Sequence, residues 1–221
     1  MDNKGRKMGQ VYEVECLQPQ DIEKRSFEII SQELNERGIV LCKEQEMVTK
    51  RVIHTSADFD YAKTMMYSED AVLIAKKLLK SGVDIVTDTN MALAGINKTA
   101  LKKLGCRAHC FMADEDVAKE AKRRGVTRAV VSMERASQIQ GPVIFAIGNA
   151  PTALLELYDM IDEGIYRPAF VIGVPVGFVN VEAAKELIMQ TGVPYIVNRG
   201  RKGGSNIAAA ICNALMYELT R

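Results

Sequence analysis

The chain has 221 residues, enough for one large or two small domains with a full core. Its 48% hydrophobic and 26% charged residues are typical of a soluble globular protein, and 29 basic against 28 acidic residues argue against a nucleic-acid-binding surface. No apolar run has the length of a membrane span or the setting of a signal peptide, and five cysteines without regular spacing fit a reducing compartment. We therefore expect a cytoplasmic protein that binds neither nucleic acid nor membrane.

The first half of the chain predicts mostly helices. Residues 1–18 are expected to form an extended arm before a helix over 19–37, and a second helical pattern over 44–53 ends next to His54, one of only two histidines. The later elements are a helix over 69–81 capped by Ser68, a strand over 83–87, short helices over 91–96 and 98–104, a strand over 107–112 and a helix over 115–124.

The second half predicts a repeated unit. Residues 127–140 are ambiguous between strand and helix, and their spacing favours a helix. Three buried strands then follow, each with a glycine-marked turn and a helix after it; the turns begin at Gly148, Gly173 and Gly200. This order predicts right-handed βαβ units on a parallel sheet in a single domain.

The three turns are the first candidate site. They follow the carboxyl ends of parallel strands, where ligands gather, and each places backbone N–H groups at a helix N-terminus. The last turn, 200–205, adds the charges of Arg201 and Lys202, yet it has neither the Walker nor the dinucleotide spacing. Arg128, a basic residue in a first helical turn, is expected to face an acidic side chain or an anionic ligand. A large ligand with several carboxylates or phosphates fits best.

His54 is the second candidate. At a helix C-terminus the free carbonyls favour a protonated imidazole, and Asp58 and Asp60 add to that effect if they fold back towards it. The arrangement suits a proton donor, and it suits a structural capping residue equally well. His109 between Cys106 and Cys110 suggests a metal, but nothing else completes a coordination shell, so buried thiols are preferred and no metal site is expected.

Four stretches in register resemble motifs of the precorrin-8X methylmutase family of cobalamin biosynthesis, called cobalt-precorrin-8 methylmutase in the cobalt-first route. They are Arg51-Val-Ile-His54-Thr-Ser-Ala-Asp58-Phe, Ala146-Ile-Gly148-Asn149-Ala-Pro151-Thr152-Ala-Leu, Gly173-Val-Pro-Val-Gly177-Phe178-Val and Gly200-Arg201-Lys202-Gly203-Gly204-Ser205. The similarity extends from about residue 22 to the final helix.

The resemblance implies an isomerase that moves a methyl group from C-11 to C-12 of precorrin-8X or cobalt-precorrin-8, giving hydrogenobyrinic or cobyrinic acid. It implies a three-layer α/β/α, flavodoxin-like fold, a homodimer, no organic cofactor, a corrinoid substrate and possible transfer contacts with neighbouring pathway enzymes. His54 takes the position of the catalytic histidine. The expected substrate-binding residues are Ser26, Arg128, Asn149, Thr152, Gly177, Arg201, Lys202, Gly203, Gly204 and Ser205.

Two other functions remain open from the residues. One is a non-catalytic protein that binds a corrinoid or another anionic metabolite. The other is a phosphate-binding transferase that uses the turn over 200–205.

Overall fold

The computed structural model describes residues 18–221, without the side chains of Pro19 and Gln20. The predicted N-terminal arm, apart from Gln18, lies outside this range. None of the helices in the described range is long and apolar enough to cross a membrane.

Residues 18–221 form eleven helices and six strands. In chain order these are α1 (Pro19–Glu36), α2 (Glu46–Ser56), α3 (Tyr61–Thr64), β1 (Met65–Tyr67), α4 (Ala71–Lys80), β2 (Asp84–Thr87), α5 (Asn90–Gly95), α6 (Lys98–Leu104), β3 (Arg107–His109), α7 (Glu115–Arg124), α8 (Arg128–Ala136), β4 (Val143–Ile147), α9 (Pro151–Asp162), β5 (Phe170–Gly173), α10 (Val181–Gln190), β6 (Tyr195–Asn198) and α11 (Ser205–Thr220).

The six strands form one sheet in the order β1-β6-β5-β4-β2-β3. Only the edge strand β1 is antiparallel, to β6, and the other neighbours are parallel. Counted without β1, the parallel strands follow the flavodoxin order 2-1-3-4-5, which places the topological switch point between β2 and β4. The predicted mainly parallel, flavodoxin-like α/β fold is confirmed.

Helices cover both faces of the sheet, because successive strand residues point to opposite sides. Ile85, Ile144 and Ile172 belong to the core formed with α2, α4 and α11, and α11 is buried along most of its length. Val86, Phe145 and Val171 belong to the second core, with α8, α9 and α10. The result is a three-layer α/β/α arrangement whose parallel strands all end at one edge.

Several predicted boundaries differ from the structure. The ambiguous stretch after Gly125 is a helix, α8, and the Thr127 side chain accepts the N–H of Val130 at its start. Ser68 does not cap α4, which begins at Ala71; its hydroxyl accepts the backbone N–H of Tyr195 instead. The strand predicted over 107–112 ends at His109. Helix α3 and strand β1 have no counterpart in the prediction.

Candidate active site

His54 lies in the last turn of α2, which ends at Ala57 in the left-handed conformation. Helix α1 crosses this end of α2 and supplies two contacts. The Ser26 hydroxyl is 2.8 Å from His54 Nδ1, and the Phe27 ring stacks on the imidazole with 5.5 Å between centroids. The ring is therefore held through Nδ1, while Nε2 has no hydrogen-bond partner among the described residues.

A groove of about 570 Å³ opens beside this pair. Apolar residues of α1, of the end of α2 and of the loop after α2 line it together with Ser26 and His54; among them are Ile22, Ile29, Ile53 and Phe59. Three charged residues also belong to the lining: Arg25, Glu33 and Arg37. Its lining contains no residue of the glycine turns. The imidazole thus faces an accessible, partly apolar space, as a proton donor to a large organic ligand requires.

The structure contradicts the expected charge of His54. Burial and the nearby Arg51 guanidinium lower the pKa of His54 below its usual value, and Glu23 offsets this only partly. Asp58 and Asp60 do not fold back towards the ring. Desolvation therefore outweighs the helix C-terminus, and the free protein favours the neutral imidazole near pH 7.

Lys202 is the partner of both aspartates. Its Nζ donates to Asp58 Oδ2 and Asp60 Oδ2, each at 2.6 Å, and these hydrogen bonds raise the pKa of Lys202 and lower that of Asp58. The side chain predicted to bind a substrate carboxylate is already paired within the chain. Its ion pairs connect the turn after β6 to the segment that follows His54.

The three glycine turns meet at the carboxyl edge of the sheet. The N–H of Gly204 donates to the carbonyl of Val174, and the N–H of Gly177 donates to that of Arg201. A Cβ atom on Gly203 would overlap the Val174 carbonyl, and one on Gly148 would lie 2.7 Å from the carbonyl oxygen of Gly204. Glycine is therefore required where these backbones touch.

Contrary to the prediction, the turn after β4 does not offer its N–H groups to a ligand. The fully buried carboxylate of Asp88 accepts the N–H groups of Gly148, Asn149 and Ala150 at 2.9, 2.7 and 2.6 Å. Burial raises the pKa of Asp88, and these three donors oppose that rise. Sequence reasoning missed this role, although an Asp directly after a buried strand was a usable signal.

Arg128, Asn149 and Thr152 lie together at the N-terminal ends of α8 and α9. The Thr127 hydroxyl donates to Thr152 Oγ1 at 3.1 Å, which joins the two helix ends. Arg128 and Asn149 are exposed, and no carboxylate in the described range pairs with Arg128. Its predicted acidic partner is thus absent from residues 18–221, which leaves a ligand as the alternative.

Arg201 and Ser205 also have partners within the chain. Arg201 Nε donates to Glu182 Oε1 at 2.8 Å, and its guanidinium lies 5.7 Å from the centre of the exposed Phe178 ring. The Ser205 hydroxyl is 2.8 Å from Thr89 Oγ1. Of the two, Arg201 can exchange its exposed carboxylate partner for a ligand at small cost.

The second histidine lies elsewhere. His109 Nε2 is 2.8 Å from Asp84 Oδ1, and Arg107 donates to both oxygens of the same carboxylate. Cys106 is buried and donates to the Leu79 carbonyl. The described residues contain no group of three or more His, Cys, Asp or Glu side chains that could hold a metal ion.

The fold and the site define a class of protein: a flavodoxin-like α/β protein with a histidine in a groove and a rim of strand-to-helix turns, which Lys202 connects to the segment after that histidine. Residues 21–218 match the family model CbiC, precorrin-8X methylmutase, and the chain belongs to the precorrin-8X methylmutase family. This confirms the resemblance found in the sequence motifs. The chain is accordingly an isomerase, a methylmutase of cobalamin biosynthesis, rather than a carrier or a transferase.

Individual relatives agree along nearly the whole chain. The chain is 45% identical over 199 residues to the cobalt-precorrin-8 methylmutase of Priestia megaterium, covering 90% of this chain and 88% of the relative. It is 41% identical over 206 residues to the enzyme of that name from Salmonella typhimurium, covering 91% and 96%. The crystal structure of precorrin-8X methylmutase from Thermus thermophilus superposes with a TM-score of 0.82 at 35% identity, covering 90% and 98%.

Proposed function

We propose that this enzyme moves the methyl group from C-11 to C-12 of precorrin-8X or cobalt-precorrin-8, giving hydrogenobyrinic or cobyrinic acid, with His54 as the general acid. The observation that carries the proposal is the hydrogen bond of 2.8 Å between Ser26 and His54 Nδ1 beside an open groove. In the imidazolium form both ring nitrogens carry a proton: Nδ1–H donates to the Ser26 hydroxyl, and Nε2–H, which has no partner among the described residues, is the proton available to a ligand.

The imidazolium of His54 would donate its Nε2 proton to a ring nitrogen of the macrocycle and become the neutral imidazole. Positive charge at that nitrogen withdraws electrons from the conjugated system, so the carbon that receives the methyl group becomes a better acceptor. The bond from the methyl group to C-11 breaks as the bond to C-12 forms, and the proton then returns to His54. No atom is gained or lost, as an isomerisation requires.

The rim of turns would bind the carboxylates of the substrate. Arg128 is exposed and without an acidic partner in the described range, and Asn149 and Thr152 lie beside it. Gly177, Arg201, Gly203, Gly204 and Ser205 complete the proposed set. Lys202, occupied by two aspartates, has a supporting role instead of a direct one.

Further parts of the proposal concern the assembly. We propose that the chain has a single catalytic domain preceded by an extended arm over residues 1–18, and that the enzyme acts as a homodimer. The reason for the dimer is that α1, the end of α2 and the loops next to them are the only parts of the described chain that line the groove at His54. A second subunit would then close the space around a flat macrocycle. The cytoplasmic location and the transfer contacts with neighbouring enzymes stay predictions.

His54→Ala tests the catalytic role. We expect the variant to bind cobyrinic acid as the wild type does and to lose turnover of cobalt-precorrin-8, because the proton donor is removed while the carboxylate contacts stay. His109→Gln is the matched control: it changes the other histidine, which is bound to Asp84, and it should retain turnover. Unchanged turnover in His54→Ala would contradict the proposed mechanism.

A further inference from the structure

Lys185 is a buried charge that the proposed reaction does not use. It lies on α10, its side chain is 0% exposed, and no carboxylate of residues 18–221 accepts a hydrogen bond from it. Its Nζ donates instead to the carbonyl oxygens of Gly200 at 2.6 Å and Lys202 at 2.9 Å. The two carbonyls belong to the turn over 200–205, at the carboxyl edge of the sheet.

Burial lowers the pKa of Lys185 to about 8. Keeping an ammonium group in this position therefore costs folding free energy. Any benefit of the charge has to come from the arrangement of the turn and not from overall stability.

The peptide geometry determines what Lys185 does to this turn. In a trans peptide the carbonyl and the following N–H point in opposite directions, and the described residues contain no cis peptide. Because the carbonyls of Gly200 and Lys202 point inwards to Lys185, the N–H groups of Arg201 and Gly203 point outwards. Neither N–H has an acceptor among the described residues.

A second contact supports this orientation. Asn198, at the end of β6, donates from Nδ2 to the Lys202 carbonyl at 2.8 Å. On the other side of the turn, the N–H of Gly204 donates to Val174. Two side chains thus hold the turn by its carbonyl oxygens. The unpaired N–H groups of the turn point away from those side chains.

We infer that Lys185 is a positioning residue, which orients the N–H groups of Arg201 and Gly203 towards a carboxylate of the substrate. This inference rests on the proposed function and assigns to the turn over 200–205 its ligand class, a carboxylate. The ammonium also places a positive charge behind the two amide dipoles, where solvent ions screen it little. Lys185 itself does not touch the ligand.

Lys185→Met tests the inference, since Met has a similar length and no charge. Two corrinoid probes separate the effects: cobyrinic acid carries free carboxylates, and cobinamide carries amides in their place. We expect cobyrinic acid to bind at least about tenfold more weakly to the variant, the loss of roughly one charge-assisted contact, and cobinamide to bind as it does to the wild type. The KM for cobalt-precorrin-8 should rise by a similar factor, with little change in kcat.

Ile188→Ala is the matched control, since Ile188 is buried on the same helix, is uncharged and belongs to the apolar core. It lowers stability but should leave the preference between the two probes unchanged. Lys185→Gln, which can still donate to one carbonyl, should show an intermediate loss and serves if Lys185→Met does not fold. Equal losses for both probes in the Lys185 variants would overturn the inference, as would wild-type affinity for cobyrinic acid.

Amide hydrogen exchange measures, without a ligand, how firmly Lys185 holds the turn. The Gly204 N–H is protected by its bond to Val174, and Lys185→Met should increase its exchange rate by at least about tenfold as the turn loosens. Unchanged exchange would overturn the inference. A wild-type protein that binds no corrinoid acid would contradict the proposed function instead, and the exchange rate would still decide whether Lys185 holds the turn.

Discussion

At the residue scale, the charge state of His54 depends on two pairs of opposing contributions. The helix C-terminus and Glu23 favour the imidazolium, while burial and the Arg51 guanidinium disfavour it, and the second pair prevails. The sequence indicated only groups that favour the imidazolium, namely the helix end and the aspartates Asp58 and Asp60, because the crossing of α1 over α2 that buries the ring is a long-range contact. A general acid with a lowered pKa is a stronger acid that is less often protonated.

This balance gives a prediction for the pH dependence of turnover. If His54 must be protonated in the free enzyme, kcat/KM should fall about tenfold per pH unit above the lowered pKa and level off only below pH 6.5. The profile should be measured with cobalt-precorrin-8 between pH 5.5 and about 8.5. Ser26→Ala, which frees Nδ1, should shift the profile, whereas Ser31→Ala on the same helix should not. A flat profile would show that protonation of His54 does not limit the reaction.

At the element scale, local signals predicted the helices well and the edge strand badly. Asn97 accepts the N–H of Ala100 at the start of α6, and Gly125 ends α7, both as the sequence indicated. Strand β1 has only three residues, and its pairing with β6 joins segments about 130 residues apart, so no local pattern reveals it. The same limit applies to Asp88, whose three N–H donors lie about 60 residues further along the chain.

The ion pairs of Lys202 connect two elements, and we predict that they matter more for turnover than for stability. Lys202→Met should lower the free energy of unfolding by less than about 1 kcal/mol, because the pairs are partly exposed and screened by solvent. Turnover should fall by about tenfold as the segment after His54 loses its attachment to the turn.

The control for Lys202 is Lys63→Met, an exposed lysine on α3 just after this segment. It should change neither stability nor turnover. Asp58→Asn combined with Asp60→Asn should reproduce the loss of turnover of Lys202→Met. Raising the salt concentration should also lower the turnover of the wild type, because salt screens the ion pairs. Full activity in both variants would remove this connection from the mechanism.

At the scale of the whole molecule, the alternation of strand, turn and helix predicted the parallel sheet and the edge at which its three glycine turns meet. The order of the strands was not accessible from the sequence, since it depends on which strands pair over long distances. It is this order that places β2 beside β4 and so brings Asp88 beneath the turn that starts at Gly148. A carboxylate of the protein occupies the switch point, where many doubly wound folds bind an anionic ligand.

Asp88 should therefore stabilise the entire fold. Asp88→Asn replaces one acceptor oxygen by an NH₂ group that faces backbone donors, and at least one buried N–H of the turn loses its partner. We expect the free energy of unfolding, measured by urea denaturation, to fall by roughly 2–4 kcal/mol. Asp162→Asn, an exposed change at the end of α9, should have little effect. If Asp88→Asn unfolded at the same urea concentration as the wild type, the three hydrogen bonds would contribute nothing net to stability, and the backbone pairing of β2 with β4 and the apolar core would be sufficient to hold the two strands together.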